Sequence, residues 1–315
     1  MNNEKSGSEL RSDKKENYQF ISYAAHSKTY KEDLIDKDFL IYKDWLNNGT
    51  VDVWRHIRMF ENIDPLLKLY YNYNWLSVAD GKWGTATRYI LSRGGNALAT
   101  DIDTSLLDIA VAKGLLKECK NENAENLSFE DNSFDFSYCK EAFHHFPRAY
   151  IGIYEMLRVS KIAVVITEPR DWLPVPFARK FIQFFKNKIK YLLRIEIKHS
   201  DTGNYEPIGN YVFTISEREI EKIALGLHLP HVAFKNFQDV YIEGVEEEMI
   251  ISKGPLIKKI QKKLFINRFL NFLTIEKTNH ITAIIFKTVI SKELRNLLND
   301  SGFKIVDLPR NPYQN

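Results

Sequence analysis

The sequence predicts an α/β chain built on a doubly wound, mostly parallel sheet, with a helical N-terminal cap and inserted helices. Four short apolar runs lie between Trp75 and Pro169: WLSVAD, ALATDID, FDFSYCKEAF and IAVVITEP. Helical stretches alternate with them, namely ATRYILSR, TSLLDIAVAKGLL and AYIGIYEMLRVS. Short buried strands separated by helices are what βαβ units look like, and a parallel sheet follows from them. A glycine-bearing turn, Asp80-Gly81-Lys82-Trp83-Gly84-Thr85, falls where the first run passes into its helix.

The elements divide the chain into three. Residues 1–17 are polar and are expected to form a disordered tail. Residues 18–74 carry aromatics at helical spacing, including Tyr42, Trp45, Trp54 and Phe60, and read as a helical cap. Within it Asp64-Pro65 marks a helix start. Residues 75–315 form the main domain, with insertions at about 170–212 and 243–278. FTISEREIEKIALGLH is a helix, with Ser216 as N-cap and Glu219 closing a capping box. HVAFKNFQDVYI and HITAIIFKTV read as strands, SKELRNLLND as a helix ended at Gly302, and FKIVDL as strand-like. The basic-aromatic stretches 172–199 and 255–273 read as amphipathic helices over the core, walling an acceptor site, with peripheral membrane contact as the alternative.

Bulk properties narrow the function. A hydrophobic fraction of 44% and a charged fraction of 27% are those of a soluble globular protein. A net charge of +3 gives no reason to expect nucleic acid. Cys119 and Cys139 lie far from any CxxC or Cys/His spacing, so neither a disulfide framework nor a metal site is expected. The first residues are polar and charged, and no run approaches about 18 apolar residues, so a cytoplasmic protein is expected.

Three stretches carry candidate chemistry. The glycine turn lets backbone approach a ligand and presents helix N-terminal amides. Its spacing is not the G-x-G-x-x-G of dinucleotide sites, which disfavours a nicotinamide oxidoreductase. Asp101 ends the second strand about 20 residues beyond the turn, where a carboxylate can accept from two ribose hydroxyls. Asp103 is the better cap for the helix at Thr104, which leaves Asp101 for a ligand. The third stretch is ENAENLSFEDNSFDFSYCKEAFHHF, followed by Glu168-Pro169 after the next strand.

Taken in order, these phrases resemble the class I S-adenosylmethionine-dependent methyltransferases, in the branch of small methyltransferase domains with a Rossmann-like fold. The resemblance runs from about Leu76 to Pro169. It implies that Ala79, Asp80, Gly81, Lys82 and Gly84 wrap the methionine part of S-adenosylmethionine. Asp101 would hold the ribose and Ile102 the adenine face, with Asn123 and Ala124 at the adenine edge. Lys140 and Glu141 would sit under the sulfonium, facing the acceptor. Departures are Ser77 in place of the motif's opening acid, Ala79 in place of its first glycine, and a turn longer by one residue. Asn123 replaces the usual acid, with an amide able to pair with adenine's amino group.

His144 and His145 follow the fourth strand, and a neutral histidine suits proton removal from a hydroxyl acceptor. Adjacent residues on a turn diverge, so at most one is the base, and His145 is favoured. Glu141 and Glu168 are rivals; either could instead bind nearby backbone or Arg170. The function expected is methyl transfer to a small-molecule or carbohydrate-like acceptor, sugar or lipid-linked. The alternative is a non-catalytic binding or scaffolding protein of the same fold.

Overall fold

The computed structural model describes residues 23–24, 49–171, 211–273 and 277–313. The 1–17 tail, most of the cap before residue 49 and nearly all of the first insertion lie outside the described residues. Helix α1 (Val51–Phe60) begins at Thr50, whose side chain accepts the Val53 amide. Helix α2 (Asp64–Leu69) begins on Pro65, where a missing N–H costs nothing. Strands β1 (Asn74–Val78), β2 (Asn96–Asp101), β3 (Cys119–Asn121), β4 (Phe134–Lys140) and β5 (Ser160–Pro169) then alternate with α3 (Thr85–Ser92), α4 (Ser105–Ala112) and α5 (Ala149–Val159). The chain continues through α6 (Glu217–Gly226), β6 (His231–Phe237), α7 (Pro255–Phe272), β7 (His280–Phe286), α8 (Lys292–Asp300) and β8 (Lys304–Asp307).

The eight strands make one sheet in the order β3-β2-β1-β4-β5-β7-β6-β8. From β3 to β5 every pairing is parallel. Strand β7 runs antiparallel to β5 and β6, and β8 closes the edge antiparallel to β6. The mostly parallel sheet expected from the sequence is therefore present. Strands β4 and β5 are covered on both faces, which is why they read as near-continuous apolar runs. Winding reverses between β1 and β4, and the crevice beyond their carboxyl ends is where such sheets bind ligands.

Each face has its own core. Phe60, Ile63, Tyr89 and Leu294 pack on one side of the sheet against Trp75, Phe136 and Ile284. On the other, Ile153, Met156 and Ile220 pack against Leu76, Val164 and Ile285. Residues 51–69, read as part of a cap, are thus core: Ile63 and Leu66 are fully buried. Asn62 donates to Thr282 Oγ1 at 2.9 Å, and Arg55 Nε to Asp239 Oδ1 at 3.1 Å, tying these helices to distant strands and loops.

Local signals hold where they were specific. The Ser216–Glu219 capping box is formed, and Gly302 lies in the left-handed region (φ +83°) just past α8. Strand β6 ends at Phe237 rather than continuing to Ile242, because side chains take over the pairing. Asn279 Oδ1 accepts the Asp239 amide at 2.9 Å, and Gln238 Oε1 accepts the Asn279 amide at 2.8 Å. Strand β3 was not anticipated, since its three residues form no apolar run. Helix α7 departs from the amphipathic helix expected over the core: only Ile257 and Ile260 of its residues are buried.

Candidate functional site

The glycine turn is wound by left-handed residues that are not all glycine. Ala79, Trp83 and Gly84 have φ of 56°, 62° and 61°. At 84 a Cβ would lie 2.6 Å from Leu116 Cδ1, so any other residue would have to push that buried leucine aside. Strained non-glycine residues at the end of a central strand are a mark of functional loops. Asp80 holds the turn together. Its buried carboxylate accepts from Ser77 Oγ (2.9 Å), the Ala86 amide (3.0 Å), the Thr87 amide (2.8 Å) and Thr87 Oγ1 (2.8 Å). Two of these are unpaired amides of the first turn of α3. Burial lifts the Asp80 carboxyl above the usual range, against the pull of those bonds. The carboxylate that the motif lacks at Ser77 is therefore supplied three residues on. Asp80 and Gly84 shape the turn, Gly81 offers its amide inward, and Lys82 is exposed.

Asp101 ends β2 with its side chain out of water. Its Oδ2 accepts the Gly81 amide at 2.8 Å and its Oδ1 the Asp103 amide at 3.0 Å. Burial is the main reason that its carboxyl is pushed up to about 7. Each oxygen has one bond, leaving further lone pairs for a ligand. Asp103 accepts the Ser105 amide at 2.9 Å from one position before the N-cap, which is Thr104.

A pocket of about 540 Å³, its open mouth included, gathers Ala79, Asp101, Ile102, Asn123, Ala124 and His145. Five of the ten residues expected at the cofactor thus line one cavity, with one of the three expected at the chemistry. Tyr23, from near the start of the chain, also lines it and was not anticipated. Its hydroxyl donates to Glu125 Oε2 at 3.0 Å, with Asn123 Oδ1 the next acceptor at 3.2 Å, and burial first, then Glu125, push it up to about 12. Asn123 Oδ1 also accepts the Glu125 amide at 2.9 Å. Asn123 thus brings both an amide acceptor and N–H donors to the pocket wall.

The two histidine rings lie side by side, their centroids 4.0 Å apart. They lie on the short 3-10 turn Phe143–His145, and His144 Nδ1 is 2.6 Å from Glu168 Oε2. Glu168 is fully buried, and its Oε1 accepts the amides of Ala142 (2.9 Å) and Phe143 (3.0 Å). Glu168 is therefore a clamp on the loop after β4, and His144 is held by it. Arg170 is not its partner: that guanidinium reaches Thr278 Oγ1 and Glu217 Oε1.

Lys140 and Glu141 face a second polar group. Lys140 Nζ lies 2.7 Å from His56 Nδ1 and 5.0 Å over the Phe60 ring, turned toward α1 rather than into the pocket. His56 is lowered by burial and by Lys140, so it stays neutral and accepts from the ammonium. Glu141 has φ 50°, and its Oε1 is 2.9 Å from His280 Nε2. Burial opposes ionisation there, but Lys140 and His280 hold the carboxyl well below the usual carboxylate range. The other ring nitrogen of His280, Nδ1, is buried with no hydrogen-bond partner among the described residues. Neither His56 nor His280 carried a sequence signal, being 84 and 139 residues from the groups they meet.

Residues 76–164 match the family model of a methyltransferase domain. UbiE of Sinorhizobium fredii, a ubiquinone/menaquinone biosynthesis C-methyltransferase, is 33% identical over 135 residues, covering 40% of this chain and 51% of that protein. The match spans about half the length of this curated relative. Among solved structures, a Galdieria sulphuraria protein provisionally described as a sarcosine dimethylglycine methyltransferase shares 16% identity over 81% of this chain and 99% of its own, at a TM-score of 0.48. The YcgJ protein of Bacillus subtilis shares 16% over 73% of this chain and 99% of its own, at a TM-score of 0.44.

Proposed function

We propose that the chain is a class I, S-adenosylmethionine-dependent methyltransferase that transfers a methyl group from that cofactor to a small-molecule or carbohydrate-like acceptor, a reading supported by the match of residues 76–164 to the model of a methyltransferase domain. One observation carries the reading. A buried carboxylate, Asp101, lines the pocket at the end of β2 with lone pairs to spare, and its lost hydration is what a sugar diol would restore. The rest of the pocket fits the same group. Ile102 and Ala124 offer apolar contact for a base, Asn123 offers donors at its edge, and the turn from Ala79 to Gly84 has backbone for a methionine chain.

When bound, S-adenosylmethionine supplies an electrophilic methyl group on sulfur. The protein's own task is then alignment and, for a hydroxyl acceptor, proton removal. That His145 lines the pocket supports it as the group that takes that proton. The Glu141–His280 pair at the carboxyl end of the sheet is the rival base: the carboxylate fixes one ring nitrogen and leaves the other for an acceptor.

The test is incubation with methyl-labelled S-adenosylmethionine and an acceptor panel of sugars, phenols and lipid-linked sugars, followed by mass spectrometry. A gain of one methyl on one class, abolished by Asp101→Ala, is the expected result. Tight cofactor binding with no label moved to any acceptor, nor to a small-molecule cell extract, would replace this reading with a binding or scaffolding role.

A further inference from the structure

Helix α7 leaves the body of the protein halfway along its length. Its first turns are anchored, with Ile257 and Ile260 buried beside Val51 and Val245. Glu248 accepts the amides of Leu256 (2.9 Å) and Ile257 (2.8 Å), completing the helix start. Beyond Ile260 no residue of the helix is buried. At about 100° per residue, Lys258 and Lys262 point away from the Ile257–Ile260 face. Two turns later the same outward side belongs to Phe265, Phe269 and Phe272, which are 75%, 58% and 83% exposed. Three phenyl rings on one side of one helix end make an apolar patch that water solvates at a cost.

Charge decides what covers it. The helix carries Lys258, Lys259, Lys262, Lys263 and Arg268 and no acidic residue. A second copy docking here would set this all-basic helix against its like. An anionic lipid surface satisfies both parts, with lysines among the headgroups and phenyl rings at the acyl boundary. Eighteen residues with five cations do not cross a bilayer, and no helix among the described residues is long and apolar enough to do so. We propose that α7 is a surface anchor that lies in the interface of an anionic membrane. The proposal stands apart from the methyl-transfer reading and uses none of its residues.

Flotation of the full chain with vesicles tests it, using phosphatidylcholine alone and phosphatidylcholine with about 30% phosphatidylserine. The expected result is flotation with the anionic vesicles only, weakened by added salt. The combined substitutions Phe265→Ser, Phe269→Ser and Phe272→Ser, and separately Lys258→Gln, Lys259→Gln and Lys262→Gln, should each lower partitioning at least about tenfold. Unchanged thermal melts would show that both variants fold. Failure of the wild type to float with anionic vesicles overturns the proposal. Equal flotation with neutral vesicles overturns it as well. So does concentration-dependent self-association that the phenylalanine variant abolishes, in the absence of vesicle binding, which would make a second copy the occupant.

Discussion

Asp101 has its carboxyl raised from an ordinary 3.8 to about 7, so its protonation changes in the range where enzymes are assayed. The folded value lies above the unfolded one. Stability linked to the bound proton is therefore full at low pH and lost as pH rises through about 7. The ligand-free protein should lose melting temperature between about pH 4 and 7 relative to an Asp101→Asn variant, as scanning calorimetry of both would show. Cofactor affinity should run the other way and tighten over the same interval, because the ionised carboxylate accepts hydroxyl bonds best. The adjacent histidines separate by a different pair of readouts. With a hydroxyl acceptor, His145→Ala should lower kcat by about 10² to 10⁴ while leaving cofactor Kd unchanged. His144→Ala should chiefly lower the melting temperature, because it strips a partner from buried Glu168. If His145→Ala keeps full turnover, His280→Ala becomes the decisive variant. Asp101 was legible because an acid at a strand end has a known use and Asp103 bonds at the helix start instead. Tyr23 was not legible, since its partners Asn123 and Glu125 lie 100 and 102 residues away.

The turn between β1 and α3 is an element whose sequence departs from the motif it resembles and whose geometry is held locally. Asp80 supplies four bonds to the turn and the helix start. Asp80→Ala should cost about 1–2 kcal/mol as a lost cap, and more for the buried donors left unpaired. A lower melting temperature together with weaker cofactor binding is expected, because the same turn holds Gly81 against Asp101. The helices at 51–69, read from their aromatic spacing as part of a cap, pack directly on the sheet. Removing residues before 74 would strip Phe60, Ile63 and Leu66 from the core, so the truncated chain should aggregate or fail to melt cooperatively. Aromatic spacing shows that a helix buries a face, and it cannot show whether that face meets a sheet or a ligand. Helix α7 misled for a related reason. Its apolar residues point inward at first and outward later, so composition alone looks like an ordinary amphipathic cover.

At the scale of the molecule, sheet order places the candidate pocket. Strands β1 to β3 wind one way and β4 to β5 the other, so the carboxyl ends of β1 and β4 part over a crevice. Residues scattered from Ala79 to His145 meet there, and Tyr23 joins them from the other end of the sequence. This much of the fold was legible because alternation of strand and helix dictates a parallel sheet. The antiparallel half was less so, since β6, β7 and β8 pair across long connections that no local period encodes. The central claim is that this crevice holds S-adenosylmethionine by its ribose at Asp101. Isothermal titration of the full chain at pH 8 with S-adenosylmethionine, with NADH as control, and of Asp101→Ala tests it most directly. The account predicts saturable one-to-one binding of S-adenosylmethionine, weakened about tenfold to a hundredfold by the substitution, and no heat with NADH. Equal affinity in a folded Asp101→Ala variant, or binding of NADH in its place, would contradict it.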